Sequence, residues 1–290
     1  IEIANSAEIT PLNNRKDLRN IPLVTIDDSD ARDFDDAVFA ERDTNRDNPG
    51  GWHLIIAIAD VAWYVRPGNA LDSDAAKRSN SVYFPDRVIP MLPEVLSNGW
   101  CSLKPNEDRP CMAVHLWINA EGTLINHFFV RGLMRSHARL TYKQVQDAQN
   151  GKPDQITAPI MELVISPLFG AYEALKKARQ KRGALELELA ERKIILSKNG
   201  QVDRIKIRER HDSHKLIEEF MITANVAAAE TLEKKKQPCL FRVHDEPSRK
   251  KMETLRQFLA SIDIPIAKGQ VIKTNYFNQI LKKTKNTLHS

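Results

Sequence analysis

The sequence predicts an α+β fold, a mixed and largely antiparallel sheet packed with helices. Three observations lead there. β-Branched and aromatic residues cluster in short runs between residues 22 and 131, turn-forming residues separate several of those runs, and the second half of the chain carries long helical periodicities.

In chain order, PLVTI at 22–26, AVFA at 37–40 and WHLIIAIA at 52–59 read as strands, with the turn-rich DTNRDNPGG between the last two. CMAVHLWI at 111–118 and TLINHFFVR at 123–131 follow, joined by NAEG. Helices are expected at about 141–149 and 158–181, the second closing near Gly183, a residue suited to the position after a helix end. Residues 183–208, GALELELAERKIILSKNGQVDRIKIR, alternate apolar and charged side chains through LELEL and RIKIR, with Asn199-Gly200 in hairpin-turn position. A long helix is expected at 213–236, apolar at Leu216, Ile217, Phe220, Met221 and Ala224 and ending in lysines that complement its dipole. A short apolar strand leads into FRVHD at 241–245. Pro247 then opens a helix with Met252, Leu255, Phe258, Leu259 and Ile262 on one face, and a last helix is expected at about 274–285. No internal repeat, low-complexity linker or long charge block appears. The expected organisation is a lead-in over residues 1–20 and one mixed domain over 21–290.

Composition is that of a globular chain, 42% hydrophobic and 28% charged over 290 residues, with no apolar run approaching a membrane span. Cys101, Cys111 and Cys239 are odd in number and form no C-x-x-C pair, which argues against a disulfide framework or a zinc knuckle and for reduced thiols in a cytoplasm. The histidines show no zinc-binding pattern beyond His211 and His214, three residues apart.

Charge is unevenly distributed. Residues 27–36 hold six aspartates and one arginine, a local sum of −5 within a chain of net charge +5, so the remainder carries +10. A basic body attracts polyanions such as nucleic acid, whereas an acidic focus repels them unless divalent cations bridge the two. Asp27, Asp33, Asp35 and Asp36 could supply hard oxygen ligands for such cations, which would activate water and neutralise a phosphodiester leaving oxygen. In an extended segment Asp33 and Asp35 point to one side and Asp36 to the other, so convergence needs a bend. A solvated acidic loop or a purely structural calcium turn remains open from these residues alone. An EF-hand is disfavoured, because DDSDARDFDDAV lacks its glycine and final glutamate.

IPLVTIDDSDARDFDDAV at 21–38 resembles the catalytic, RNB-type domain of the ribonuclease II and ribonuclease R family, and within it the bacterial ribonuclease R branch. The likeness continues through IAIADVAWYVRPG at 56–68, SVYFPDRVIPMLPEVLSNGWCSL at 81–103, SHARLTY at 136–142, HKLIEEFMITAN at 214–225 and LFRVHDEPS at 240–248. The resemblance implies a processive 3′-to-5′ exoribonuclease that acts on single-stranded RNA with Mg²⁺, or Mn²⁺ in its place, releases nucleoside 5′-monophosphates and works as a monomer. It implies that Asp27, Asp33, Asp35 and Asp36 hold metal and assist catalysis, with Asp35 weighted toward hydrolysis. Asp28 and Asp30 lie outside the motif's requirements and read as bystanders.

Tyr83 matches the family's base-stacking tyrosine, although a tyrosine beside Phe84 is otherwise a core residue. Glu218 and Glu219 match paired glutamates of which one contacts the terminal ribose, with Glu219 favoured. Two glutamates on a helix otherwise read as an exposed face. Arg242 and His244 match a wall of the RNA channel, Arg242 through a phosphate contact or a buried ion pair with Asp245 or Glu246. The sequence departs from the family by lacking flanking RNA-binding barrels and a later SPIRRY-like arginine motif. On that basis it reads as an excerpt truncated at its C-terminal end, with a catalytically incomplete RNA-binding remnant as the alternative.

Overall fold

The computed structural model describes residues 2–5, 7, 12, 14–187, 189–197, 199–266, 274–285 and 287. The chain divides into two compact units, Ile1–Lys177 with Ala190–Ala228, and Ala178–Leu189 with Ala229–Ser290. The sequence reads as one domain because two of the three boundaries, after Lys177 and after Ala228, fall inside helices, where no change of composition marks them.

The chain opens with the one-turn helix α1 (Glu2–Asn5), then strands β1 (Lys16–Asp17), β2 (Val24–Asp27), β3 (Asp36–Arg42) and β4 (Trp52–Ala59). Helices α2 (Val61–Tyr64) and α3 (Ala70–Arg78) precede a small hairpin of β5 (Val82–Tyr83) and β6 (Val88–Ile89). Long strands β7 (Asp108–Ile118) and β8 (Leu124–Arg135) lead to β9 (Ala138–Thr141), α4 (Tyr142–Gln149) and α5 (Ser166–Arg182). A second hairpin, β10 (Arg192–Leu196) with β11 (Val202–Ile207), is followed by α6 (Asp212–Lys234), α7 (Arg249–Ser261) and α8 (Thr274–Thr284).

Seven strands form one sheet in the order β1-β8-β7-β4-β3-β2-β9. The five central strands pair antiparallel, while β1 and β9 join the two edges in parallel. Alternation along each strand builds two cores. Val38, Leu54, Ile56, Val114 and Leu116 face one side, under Val145 of α4, Leu168 and Tyr172 of α5 and Phe220 of α6. Ala37, Phe39, Ile55, Ala57 and Ala113 face the other, under Tyr64, Leu71, Leu96 and Leu103. Burial on both faces explains why WHLIIAIA is a nearly continuous apolar run and not an alternating one. Each fully buried Leu or Ile here contributes roughly 1.5–3 kcal/mol.

Residues 158–182 are long and apolar enough to cross a bilayer by length and composition. Ile160, Val164, Ile165, Leu168 and Phe169 of this stretch are instead buried in the first core. The run begins with a 3₁₀ turn and a π turn before α5.

Parts of the chain differ from their sequence pattern. Within the expected lead-in, Lys16–Asp17 pairs with Gly132–Leu133, and Leu18 is buried. Arg15 forms a buried ion pair with Asp60 at 2.7 Å. A two-residue strand is too short to carry a period, so only its pairing reveals it. Leu185, Leu187 and Leu189 of LELEL are exposed and lie outside any strand, and pairing begins at Arg192. Residues 237–248 form no strand before Arg242: Pro238 and Pro247 remove backbone donors, and Leu240, Phe241 and Val243 are exposed. In the second unit, the Ser248 side chain caps α7 through the Lys251 amide at 3.3 Å, and Leu259 packs with Ile266 and Ile280.

Gly170 lets α5 close on the sheet, since a Cβ there would lie 2.2 Å from the ring of Trp52. The ring has little freedom to retreat, because it is buried and the Arg42 guanidinium stands 3.7 Å from its centre. Gly170→Ala is expected to destabilise the protein by about 1–3 kcal/mol through overpacking. Urea denaturation measures that loss, and an unchanged midpoint would contradict this packing.

Candidate active site

The acidic segment joins the end of β2 to the start of β3, with Asp27 on one strand, Asp36 on the other and Asp33 and Asp35 in the connection. Its backbone is fixed from beneath. The Phe34 amide donates to Ser102 Oγ at 3.0 Å, and the Ser102 hydroxyl donates to the Arg32 carbonyl at 3.3 Å. The Leu103 amide donates to the Phe34 carbonyl at 2.8 Å, and the Ala59 amide to the Asp35 carbonyl at 2.9 Å. Ser102 is fully buried, and its own carbonyl accepts from Arg109 Nε at 3.0 Å. From β9, Arg139 donates to the carbonyls of Asp28 at 2.8 Å and Ser29 at 3.1 Å. Asp28 and Asp30, the expected bystanders, are ion-paired to Arg208 and to Lys193, the latter at 2.7 Å.

Among the described residues, Asp27, Asp33, Asp35 and Asp36 form no such ion pair. Asp27 Oδ2 and Asp36 Oδ2 are buried and accept no hydrogen bond. Desolvation, reinforced by the charge of Asp36, pushes the Asp27 carboxyl up from 3.8 to about 7, against the opposing pull of Arg139. Desolvation and the charge of Asp35 push Asp36 up to about 6. Asp35 is raised as well, first by desolvation and then by Asp33. The Tyr142 hydroxyl is pushed up to about 12 by desolvation and by Asp27 and Asp36, so it keeps its proton beside them. Its ring stacks on His214 at 4.0 Å, and burial holds His214 neutral, with its pKa lowered to about 4.

Among the described residues, no three His, Cys, Asp or Glu side chains form a group that could hold a metal by themselves. Two unpartnered carboxylate oxygens still fit a hard cation, because Mg²⁺ is commonly held by one or two carboxylates and takes its other ligands from water and substrate phosphate.

The other expected residues are carried by other elements. Tyr83 is on the β5–β6 hairpin and 68% exposed, with Phe84 exposed beside it, so neither is the core residue that an isolated reading favours. Glu219 is buried at 3% exposure in α6, where an exposed face is the simple reading, while Glu218 pairs with Arg210. Arg242 and His244 are exposed in the second unit, as are Asp245 and Glu246, which removes the buried ion pair from consideration. Ser102, Arg139 and Tyr142 had no role assigned from sequence. They lie inside SNGWCSL and SHARLTY, but only the register that sets Arg139 opposite Thr25 and the loop contact of Ser102 reveal what they do.

The raised carboxyls set a pH dependence. Asp27 and Asp36 hold protons to higher pH in the folded than in the unfolded chain, so metal-free stability falls as pH rises from about 4 to about 7. Urea denaturation across that window is expected to show the decline, and Asp27→Asn to flatten it. Ser102→Ala is expected to cost about 1–3 kcal/mol by leaving the Phe34 amide unpaired, and a loss below that range would mean the loop is held otherwise.

Residues 15–290 match the RNB domain family model. Ribonuclease R of Escherichia coli strain K12 is 45% identical over 270 residues, covering 92% of this chain and 33% of the relative. Mycoplasma genitalium RNase R in complex with ribose methylated single-stranded RNA superposes with a TM-score of 0.91 at 26% identity, covering 99% of this chain and 45% of that one. The same enzyme in complex with double-stranded RNA gives 0.90 at 27% identity, covering 98% and 51%. The chain thus spans about a third of the length of the E. coli relative. The matched family model, the 45% identity and the shared fold together place this chain in the RNB family, among relatives of ribonuclease R.

Proposed function

We propose that this chain is the catalytic part of a cytoplasmic, monomeric, metal-dependent 3′-to-5′ exoribonuclease that shortens single-stranded RNA processively to nucleoside 5′-monophosphates. The observation that carries the reading is the pair of buried, unpartnered oxygens on Asp27 and Asp36, in a chain whose relatives are ribonucleases R. The RNA complexes of the M. genitalium enzyme support the choice of polymer.

Asp27, Asp33, Asp35 and Asp36 would hold Mg²⁺ or Mn²⁺ together with phosphate oxygens of the substrate. Such a cation supplies Lewis acidity to the phosphodiester and lowers the pKa of an attacking water. Asp35, exposed and with a raised carboxyl pKa, would be the carboxylate of this set placed to take up a proton during hydrolysis. Ser102, Leu103 and Ala59 hold the backbone on either side of Asp33 and Asp35, so these carboxylates do not have to be ordered when the substrate arrives. Tyr83 stacks on a base near the 3′ end, Glu219 binds the terminal ribose hydroxyl, which favours RNA over DNA, and Arg242 takes a phosphate.

Two measurements test this. A 5′-labelled single-stranded RNA incubated with Mg²⁺ is expected to shorten stepwise from its 3′ end, with no shortening in chelator. Asp35→Asn is expected to lower kcat by roughly 10²–10⁴-fold while RNA affinity stays unchanged. Thermal melting supplies a readout without turnover: Mg²⁺ raises Tm more at pH 8 than at pH 5, and Asp27→Asn removes that increment. An Mg²⁺ response that survives Asp27→Asn would contradict the assigned ligand.

A further inference from the structure

The β10–β11 hairpin has two chemically distinct faces. Its register sets Lys193 opposite Lys206, Ile194 opposite Ile205 and Ile195 opposite Arg204. Strand alternation therefore places Lys193, Ile195, Arg204, Lys206 and Arg208 on one face, with Arg192, Ile194, Ile205 and Ile207 on the other. The basic face is the one turned to the acidic loop, since Lys193 reaches Asp30 at 2.7 Å and Arg208 pairs with Asp28. Those two contacts anchor the hairpin and occupy the aspartates that the proposed metal set does not use.

Arg204 and Lys206 are left facing outward. Lys206 makes no ion pair among the described residues, and Arg204 reaches only its chain neighbour Asp203, at 3.8 Å. Like charges set directly opposite each other, as Lys193 and Lys206 are, destabilise a ladder. The Lys193–Asp30 pair offsets part of that repulsion, and an anionic ligand at Lys206 would offset the rest. Alternate residues of a strand stand about 6.8 Å apart, comparable with successive phosphates of an extended single strand. Arg204 and Lys206 thus make a pair of adjacent cations, followed toward the acidic loop by Arg208, which is ion-paired to Asp28 and Glu191.

We propose that the basic face of this hairpin is a binding site for the RNA backbone, with Arg204 and Lys206 contacting successive phosphates on the way to the acidic loop. The site rests on the nuclease reading for its ligand. Its contacts are to phosphate, so it adds affinity without sequence preference. The competing account is that the charges merely keep an exposed hairpin soluble and guard its edges.

The test is binding of the intact protein to a 5′-labelled oligouridylate in chelator, where hydrolysis does not intervene, over a range of salt concentrations. Arg204→Gln/Lys206→Gln is expected to weaken binding about tenfold at low salt and to make the slope of log K against log salt shallower by about 1.4, two single-strand phosphate contacts. Arg192→Gln, on the opposite face of the same hairpin, is expected to leave that slope unchanged. An unaltered slope in the double variant, an equal change in Arg192→Gln, or no binding by the parent protein would overturn the site. Failure of the nuclease reading shows separately, as no Mg²⁺-dependent shortening by the parent.

Discussion

The structure depends on holding six aspartates within ten residues, Asp27 and Asp36 at the facing ends of two strands and four more in the connection between them. Left to itself such a segment would spread its charges into water. It is prevented from doing so by backbone hydrogen bonds from Ser102, Leu103, Ala59 and Arg139, none of which neutralises the carboxylates at its centre. These contacts engage amides and carbonyls of the loop and leave Oδ2 of Asp27 and of Asp36 without a hydrogen bond. Stability and chemistry are thereby separated: the backbone is ordered by contacts to its amides and carbonyls, and Oδ2 of Asp27 and of Asp36 is kept for a ligand.

The rest of the first unit serves this separation. Ser102 is held through its own carbonyl by Arg109, and Ala59 lies beside Asp60, whose carboxylate is buried in an ion pair with Arg15. A buried pair of this kind contributes little net stability, but losing either partner strands the other charge. Its position fixes the strand end that holds the Asp35 carbonyl. Around the periphery, Lys193 and Arg208 neutralise Asp30 and Asp28, so the negative potential is concentrated on the inner aspartates.

Exposure divides the expected RNA contacts by chemistry. Tyr83 presents an open ring on a hairpin, which suits stacking on any base. Glu219 is buried in a helix, which suits one directional hydrogen bond. On the proposed function, a stacking face gives tolerance of sequence and a buried carboxylate gives discrimination of the sugar.

Much of this was legible in the residues. Strong periodicity located the central strands and the helices α4, α6, α7 and α8 to within a few residues, because burial on defined faces leaves a repeating apolar pattern. The acidic motif was visible for its density of charge, and its family for the order of its long motifs. What sequence could not supply was anything decided by contact between distant segments. β1 and β9 are too short to carry a period and exist through pairing with β8 and β2. LELEL has a strand's alternation, but its described residues lie in no strand and the Glu186 amide donates to the Asn278 side chain instead, and the residues around Arg242 are flanked by prolines. The burial of Glu219, the anchoring by Ser102 and the pairing of Asp28 and Asp30 all join residues far apart in the chain, where local patterns hold no record. Sequence by itself determined which groups carry charge and which faces are apolar, since those are properties of residues and their spacing. Only tertiary structure decided which carboxylates are neutralised and which remain free, since that depends on what the fold brings within hydrogen-bonding distance.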